Sequence, residues 1–215
     1  MDHHTSTERA GIVLAGGQST RFDDTDKAVA ELAGIPMIRR VLERLDPMVD
    51  ELVVNCRGEQ VASIRETLRD GPGVTFAVDP VPDRGPMAGI LVGLRETTAT
   101  YAVVVACDMP LVDPAFVDYL FERARGCDGA VPQLEDQWFQ TTQAVYRCEP
   151  MAAGCERALE DGDGRIVTAL ADLEYVVVEE TEVREQASLE TFENVNTRAE
   201  LEGVADRLDG NSSSE

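Results

Sequence analysis

Short apolar runs of strand length alternate along this chain with segments in which apolar residues recur at helical spacing. The runs lie at residues 11–15, 51–55, 74–78, 101–107, 129–131 and 175–178. The helix-period segments lie at 37–45, 61–68, 87–95, 115–124, 150–159, 166–173 and about 197–208. Because continuously apolar strands need cover on both faces, the alternation predicts an α/β fold, a doubly wound three-layer α/β/α sandwich with a mostly parallel sheet. Residues 143–147 alternate apolar and polar side chains, which favours an antiparallel or an edge strand.

The domain organisation is expected to be simple. No internal repeat and no linker rich in Pro, Gly or Ser divides the sequence, which indicates one domain over residues 9–208. The polar segments 1–8 and 209–215 are expected to be flexible ends. Thr197 and Glu200 stand at capping-box spacing, which predicts the start of the last helix.

The charge balance excludes one large class of partner. Asp and Glu total 41 against 19 Lys and Arg, a formal net charge of −22, while 43% of the residues are apolar. The apolar fraction is sufficient for a core, so the acidity does not indicate disorder. A duplex nucleic-acid binder needs a basic face, which this composition does not favour. Acidity combined with 18 Arg and one Lys suits concentrated salt, where repulsion is screened, and suggests a halophilic source.

Histidine and cysteine usage excludes further chemistries. The two histidines, His3 and His4, lie in the polar N-terminal segment, which argues against a histidine-based triad or a His-ligated zinc site. The five cysteines contain no CxxC pair, which argues against a disulfide framework or a zinc ribbon. No apolar stretch approaches the ~20 residues of a membrane span, and no signal peptide is visible. A soluble, cytoplasmic protein without a membrane partner is expected.

Glycine and polar residues follow four strands of the predicted sheet. They are Leu14-Ala15-Gly16-Gly17 after the first strand, Asn55 after the second, Asp79 after the third and Asp108 after the fourth. Asn and Asp are ordinary turn residues, so any one of them is equally well explained by a local Asx turn. In a doubly wound sheet, however, ligands bind at the carboxyl ends of the strands, and together these residues favour a site there.

The glycine-rich loop has the chemistry of an anion site. Gly16 and Gly17 allow the backbone to approach a ligand closely, and Arg21 and Lys27 add positive charge. Lys27 is the only lysine among 19 basic residues. Its compact ammonium suits a point contact with triphosphate oxygens better than the planar fork of arginine does.

Other residues are candidates for metal or base binding. Asp108 ends the most hydrophobic strand, where a carboxylate beside phosphates is a natural Mg²⁺ ligand. Gly85 precedes a predicted helix start, a second preformed anion or base-edge site. Asn196 suits a helix cap, whereas Asn194 has no such routine role and could reach a metal or a phosphate. Either Asn194 or Asn196 is a candidate second metal ligand beside Asp108.

Several motifs together resemble a known family. They are L-A-G-G-x-S-x-R at 14–21, D-K-A at 26–28, G-P-M-A-G-I at 85–90, A-C-D-M-P at 106–110 and N-V-N-T at 194–197. The first is shared by many nucleotidyltransferases, and the full set, over about residues 11–201, resembles the molybdenum cofactor guanylyltransferases. The resemblance implies a Rossmann-like nucleotidyltransferase fold and Mg²⁺-dependent transfer of GMP from GTP to the terminal phosphate of molybdopterin, with release of pyrophosphate.

The resemblance also implies roles for individual residues. These are nucleotide contacts by Leu14, Ala15 and Gly16, a phosphate contact by Lys27, guanosine contacts by Asn55 and Asp79, and metal binding by Asp108. The chemistry of the loops adds Gly17 and Gly85 to the expected nucleotide-binding residues. It also makes Arg21, Lys27 and Asp108 the expected catalytic residues. GTP and molybdopterin are the implied substrates, and other proteins of molybdenum cofactor biosynthesis are possible partners. A phosphate nucleophile is already ionised at neutral pH, so the absence of a histidine base is consistent with this chemistry.

Two departures from the family pattern leave alternatives open. Phe22-Asp23-Asp24 replaces a segment that usually contains a glycine, and this adds carboxylates near the phosphates. Trp138 lies where the family often has a proline-containing stretch, and it is either a pterin-stacking residue or a half-buried surface aromatic. The alternative functions are a cytidylyltransferase for the same cofactor, a guanylyltransferase for another phosphorylated acceptor, and a non-catalytic nucleotide-binding subunit.

Overall fold

A computed structural model describes residues 8–17, 27–81, 84–135 and 137–212, with backbone only from residue 209. The strands are β1 (Arg9–Leu14), β2 (Glu31–Leu32), β3 (Ile35–Pro36), β4 (Glu51–Cys56), β5 (Thr75–Val78), β6 (Tyr101–Ala106), β7 (Gly129–Gln133), β8 (Gln143–Arg147) and β9 (Tyr175–Glu179). The α-helices are α1 (Met37–Leu45), α2 (Val61–Thr67), α3 (Pro86–Glu96), α4 (Pro114–Ala124), α5 (Cys148–Glu160), α6 (Ile166–Ala169), α7 (Glu180–Gln186) and α8 (Arg198–Ser212). Short 3₁₀ helices lie at Lys27–Val29, Asp46–Met48, Gly58–Gln60 and Leu189–Phe192.

The main sheet found in the described residues has seven strands in the order β5-β4-β1-β6-β8-β7-β9. Its strands run parallel except at β8, which is antiparallel to both β6 and β7. The predicted mostly parallel α/β fold is therefore confirmed. The carboxyl ends of β1, β4, β5, β6 and β7 consequently share one edge of the sheet.

Strand β8 is antiparallel, as its alternating pattern indicates, but it lies inside the sheet and the edge-strand alternative is wrong. Of its two polar residues other than tyrosine, Gln143 is buried and Arg147, at the strand end, is exposed. The buried Gln143 side chain donates a 2.6 Å hydrogen bond to Oγ1 of Thr191. The hydroxyl of the buried Tyr146 donates to the carbonyl of Thr141 at 2.9 Å.

Adjacent strand residues pack on opposite faces of the sheet, which produces two separate cores. Val13 belongs to a cluster that includes residues of α1, α2 and α4. Its neighbour Ile12 belongs to a cluster that includes residues of α3, α5 and α6. Helices therefore cover both faces, and the molecule has the predicted three layers.

A third, smaller core fixes the last helix against the rest of the molecule. Leu32 of β2 and Met37 of α1 pack with Val195 and with Val204 of α8. Helix α8 continues to Ser212, past the expected end at 208. The segment 209–215, expected to be a flexible tail, thus begins in helical backbone.

The sequence does not predict the short elements β2, β3 and α7, because so few residues show little periodicity in their apolar side chains. β2 and β3 have two residues each, and α7 exposes most of its polar side chains while burying Val183 and Glu180. The five cysteines are free thiols. Among the described residues, no helix combines the length and apolar character needed to cross a membrane.

Candidate functional site

A cavity of about 580 Å³ opens at the carboxyl ends of the parallel strands. Its lining includes most of the residues singled out in the sequence: Leu14, Ala15, Gly16, Gly17, Lys27, Asn55, Asp79, Gly85, Asp108 and Asn196. It also includes residues that were not singled out, among them Ala28, Arg84, Ala88, Cys107 and Thr142. Arg21 and Asp23-Asp24 lie outside the described residues.

Asn55 and Asp79 form a hydrogen-bonded pair at the β4–β5 side of the cavity. The buried Asn55 amide donates to Oδ1 of Asp79 at 2.6 Å and to the carbonyl of Ala77 at 3.1 Å. Burial raises the pKa of Asp79, while the Asn55 hydrogen bond and the charge of Arg57 act in the opposite direction. The pair therefore presents a fixed, partly desolvated carboxylate to the cavity.

Two glycines make room for this pair. A Cβ on Gly89 of α3 would lie 2.3 Å from Oδ1 of Asn55, far inside van der Waals contact. A Cβ on Gly16 would lie 2.8 Å from Oδ2 of Asp79. Any side chain at either position would displace the pair. Glycine at these two positions therefore lets the backbone pack directly against the Asn55 and Asp79 side chains.

Gly85 has a different role, because its φ of 81° lies in the left-handed region that favours glycine. It sits just before Pro86, the first residue of α3. Its backbone conformation therefore sets how the loop enters α3 beside the cavity.

A buried glutamine that sequence reasoning missed ties the β1 loop to the β4 loop. Gln60 Nε2 donates to the carbonyl of Ala15 at 2.9 Å, and its Oε1 accepts from the backbone N–H of Arg57 at 2.9 Å. The N–H of Ala15 also donates to the carbonyl of Asn55 at 2.8 Å. The contact between residues 15 and 60 spans 45 positions, so no local sequence pattern predicts it.

Lys27 lies between two side-chain oxygens on the β6 side of the cavity. Its ammonium is 2.6 Å from Oδ2 of Asp108 and donates to Oδ1 of Asn196 at 2.7 Å. The carbonyl of Asp108 accepts from the N–H of Val195 at 2.8 Å, which holds the Asn194–Thr197 segment beside the end of β6. Three distant parts of the chain therefore meet at one ammonium group.

The structure places the two asparagines in different environments. The Asn194 amide donates to the carbonyl of Phe192 at 3.3 Å, and Asn194 is not among the residues that line the cavity. Asn196, expected to act as a helix cap, contacts Lys27 instead. Thr197 is the cap: its hydroxyl accepts from the N–H of Glu200, whose carboxylate accepts from the N–H groups of Asn196 and Thr197. These hydrogen bonds hold the pKa of Glu200 below its usual range.

One carboxylate oxygen in the cavity fits a cation. Oδ1 of Asp108 is buried and has no hydrogen-bond partner among the described residues. An oxygen in this state suits Mg²⁺, which usually takes one or two carboxylates together with substrate phosphate oxygens. Among the residues that the structure describes, no three or more His, Cys, Asp or Glu side chains lie close enough together to hold a metal ion. The protein's contribution to such a site would therefore centre on Asp108.

The Asn55–Asp79 pair at one side of the cavity and the Lys27–Asp108 pair at the other suit a nucleoside triphosphate, with the base at the first and the phosphates at the second. With its mostly parallel sheet, the chain is a nucleotidyltransferase. It belongs to the MobA-like NTP transferase domain family, whose profile matches residues 11–186.

Curated relatives and solved structures agree with this membership. A probable molybdenum cofactor guanylyltransferase of Natronomonas pharaonis is 51% identical over 94% of this chain and 98% of its own length. One from Haloferax mediterranei is 40% identical over 94% of this chain and 95% of its own length. The crystal structure of a molybdopterin-guanine dinucleotide biosynthesis protein A from Archaeoglobus fulgidus has a TM-score of 0.77 and 27% identity, covering 94% of this chain and 99% of that one.

Proposed function

We propose that this chain transfers GMP from GTP to the terminal phosphate of molybdopterin, forming a guanine dinucleotide cofactor and releasing pyrophosphate. The observation that carries the proposal is one cavity lined by the Asn55–Asp79 pair and by the Lys27–Asp108 pair. The relatives at 51% and 40% identity are both probable molybdenum cofactor guanylyltransferases, which supports the choice of substrates.

The guanine base binds beside Asp79 in this proposal. A carboxylate accepts hydrogen bonds only, and the Watson–Crick edge of guanine presents two adjacent donors, N1–H and the 2-amino group. Cytosine presents one amino donor next to two acceptors, so it matches a carboxylate less well. Asn55 directs its amide at Oδ1 of Asp79 and thereby positions the carboxylate.

The triphosphate lies along the β1 loop towards Lys27. Gly16 and Gly17 line the cavity without side chains, which lets phosphates approach the backbone. Lys27 supplies a positive charge in a strongly acidic chain, and we propose that Arg21 supplies a second. Asp108, with its unpartnered Oδ1, would hold Mg²⁺. Bound there, Mg²⁺ would supply charge neutralisation for the phosphate oxygens.

The cavity residues hold the reactants in place and stabilise charge, and none of them has to remove a proton. The acceptor phosphate is ionised at neutral pH, and one of its oxygens forms a bond to the α-phosphorus of GTP. The bond between the α-phosphorus and its bridging oxygen breaks, and pyrophosphate leaves with the electron pair. Lys27 stabilises the negative charge that develops on the phosphate oxygens.

The decisive experiment measures pyrophosphate release from GTP in concentrated salt with Mg²⁺, with and without molybdopterin. The proposal expects release that depends on molybdopterin and a guanine dinucleotide product. A preference for CTP would establish a cytidylyltransferase instead. GTP binding without pyrophosphate release would establish a non-catalytic nucleotide-binding subunit.

A further inference from the structure

Trp138, the only tryptophan of the chain, is 73% exposed on the loop between β7 and β8. Because β7 and β6 are both antiparallel to β8, they run in the same direction, and the loop leaves the sheet at the edge where the cavity opens. The loop returns at Thr142, which lines the cavity and accepts a hydrogen bond from the N–H of Ala106 at 3.1 Å. Trp138 is four positions from Thr142, which is at most about 14 Å of extended chain.

The backbone around this tryptophan is held in place on both sides. The carbonyl of Trp138 accepts from the N–H of Leu134 at 3.3 Å, and the N–H of Gln140 donates to the carbonyl of Pro132 at 2.8 Å. Gln137, directly before the tryptophan, has a φ of 67°, a left-handed conformation that residues other than glycine rarely adopt. These hydrogen bonds hold the described residues next to Trp138, whose large indole is exposed to solvent.

An exposed indole on a hydrogen-bonded backbone is suited to binding a flat ligand. Tryptophan is a large, rigid aromatic with few rotatable bonds, so it loses little conformational entropy when a ligand stacks on it. In the strand order β5-β4-β1-β6-β8-β7-β9, the Asn55–Asp79 pair lies towards β5 and the Trp138 loop follows β7. Lys27 and Asp108 lie between them, at the end of β6. The Asn55–Asp79 pair and the Trp138 loop thus lie on opposite sides of the Lys27–Asp108 pair, an order that suits two aromatic groups joined through phosphates.

We infer that Trp138 is the stacking platform for the pterin ring of the acceptor, whose phosphate points towards Lys27 and Asp108. This inference rests on the proposed function and adds a binding residue for the second substrate. Stacking of a planar heteroaromatic ring on a protein aromatic residue contributes most of its energy through the ring face, so phenylalanine should replace tryptophan in part and alanine should not.

The test compares wild type, Trp138→Phe and Trp138→Ala in concentrated salt. The dissociation constant for 6-hydroxymethylpterin phosphate is measured by the fluorescence anisotropy of the pterin, and that for GTP by calorimetry. Trp138→Ala should raise the pterin dissociation constant about tenfold, and Trp138→Phe should raise it less. The KM for molybdopterin should rise in parallel, and GTP affinity should be unchanged.

Val167→Ala is the matched control, because Val167 is an exposed apolar residue on α6, outside the loop between β7 and β8. It should leave both dissociation constants unchanged. An unchanged pterin affinity in Trp138→Ala would overturn the inference. That result is also the one expected if Trp138 contacts a partner protein and not the pterin. An equal loss of pterin and GTP affinity would also overturn it, since stacking acts on one ligand.

The two proposals fail in distinguishable ways. If wild type releases no pyrophosphate from GTP with molybdopterin, the proposed function is wrong, and the pterin dissociation constants still decide the role of Trp138. If wild type and Trp138→Ala turn over with the same KM for molybdopterin, the stacking role of Trp138 is wrong and the proposed function stands.

Discussion

The ammonium of Lys27 lies 2.6 Å from Oδ2 of Asp108, so the chain's only lysine is paired with the carboxylate proposed to hold the metal. Their side chains are 14% and 20% exposed, which limits screening of the pair by solvent. Phosphate oxygens that bind Lys27 would compete with Asp108 and Asn196 for its ammonium. Binding of GTP is therefore expected to exchange the partners of Lys27.

Replacement of either partner should affect turnover for different reasons. Asp108→Asn keeps the shape and an acceptor for Lys27 but removes the charge of the proposed metal ligand, and turnover should fall at least about 100-fold. Lys27→Ala leaves a largely buried carboxylate without its cation, which should weaken GTP binding and destabilise the fold by about 1–3 kcal/mol. Steady-state pyrophosphate release and thermal unfolding measure the two effects.

An ion pair at the surface provides the control for these variants. Arg95 and Glu156 are 2.6 Å apart with side chains about half exposed, and Glu156→Gln should change neither turnover nor stability measurably. Wild-type turnover in Asp108→Asn would show that this carboxylate takes no part in the reaction.

Two glycines of α3 permit a matched test of the nucleotide pair. Gly89→Ala places a Cβ 2.3 Å from Oδ1 of Asn55, whereas Gly93→Ala, one turn later, places a Cβ 2.6 Å from Cγ2 of Ile12. Both changes bring the same gain in helix propensity. Gly89→Ala should weaken GTP binding tenfold or more, and Gly93→Ala should instead strain the core by about 1–3 kcal/mol.

Calorimetric GTP titration and thermal unfolding of both glycine variants measure these outcomes. Equal GTP affinities in the two variants would mean that Asn55 does not position the base-binding carboxylate.

Gln60 should act on nucleotide binding through the backbone of Ala15. Gln60→Glu keeps an oxygen for the N–H of Arg57 but turns a second oxygen towards the carbonyl of Ala15, which removes the 2.9 Å hydrogen bond. The KM for GTP should rise about tenfold, while kcat at saturating GTP changes little, because the loop is displaced and the reacting groups are retained. The neighbouring Glu59, whose side chain is 65% exposed, gives the control Glu59→Gln. A wild-type KM in Gln60→Glu would limit Gln60 to a structural role.

The edge of the sheet that holds the site follows from sequence alone, because parallel strands bring Gly16, Asn55, Asp79 and Asp108 to one side. The roles of Asn194 and Asn196 do not follow. The two side chains are equivalent in the sequence, and the hydrogen bond from Val195 to Asp108 selects which one faces Lys27. Such long-range backbone contacts leave no local pattern.

Asp79 should carry a stability penalty that depends on pH. Burial raises its pKa above 3.8, so the ionised form is less favourable in the folded state than in the unfolded state. Above the raised pKa this penalty is fully present, and it disappears as the pH falls towards 3.8. Asp79→Asn should therefore unfold at a higher temperature than wild type at neutral pH, and the difference should shrink on acidification.

The same variant should bind GTP more weakly, because an amide places a donor opposite the guanine donors. Asp206→Asn on the exposed surface of α8 is the control and should show no such pH-dependent difference. A variant that is less stable than wild type at neutral pH would contradict the assignment of a desolvation penalty to Asp79.

The net charge of −22 should make stability increase with salt. Raising ionic strength from about 0.1 M to about 1 M shortens the screening length from about 10 Å to about 3 Å, which weakens repulsion among surface carboxylates. Surface pairs such as Arg207–Glu193 also weaken, but an exposed pair contributes only about 0–1 kcal/mol. Relief of repulsion should therefore dominate, and a gain of a few kcal/mol would raise the melting temperature by roughly 5–10 °C for a chain of this size. Thermal unfolding in KCl, compared with sucrose as a non-ionic control, measures the effect; a melting temperature that does not change with KCl would rule out adaptation to concentrated salt.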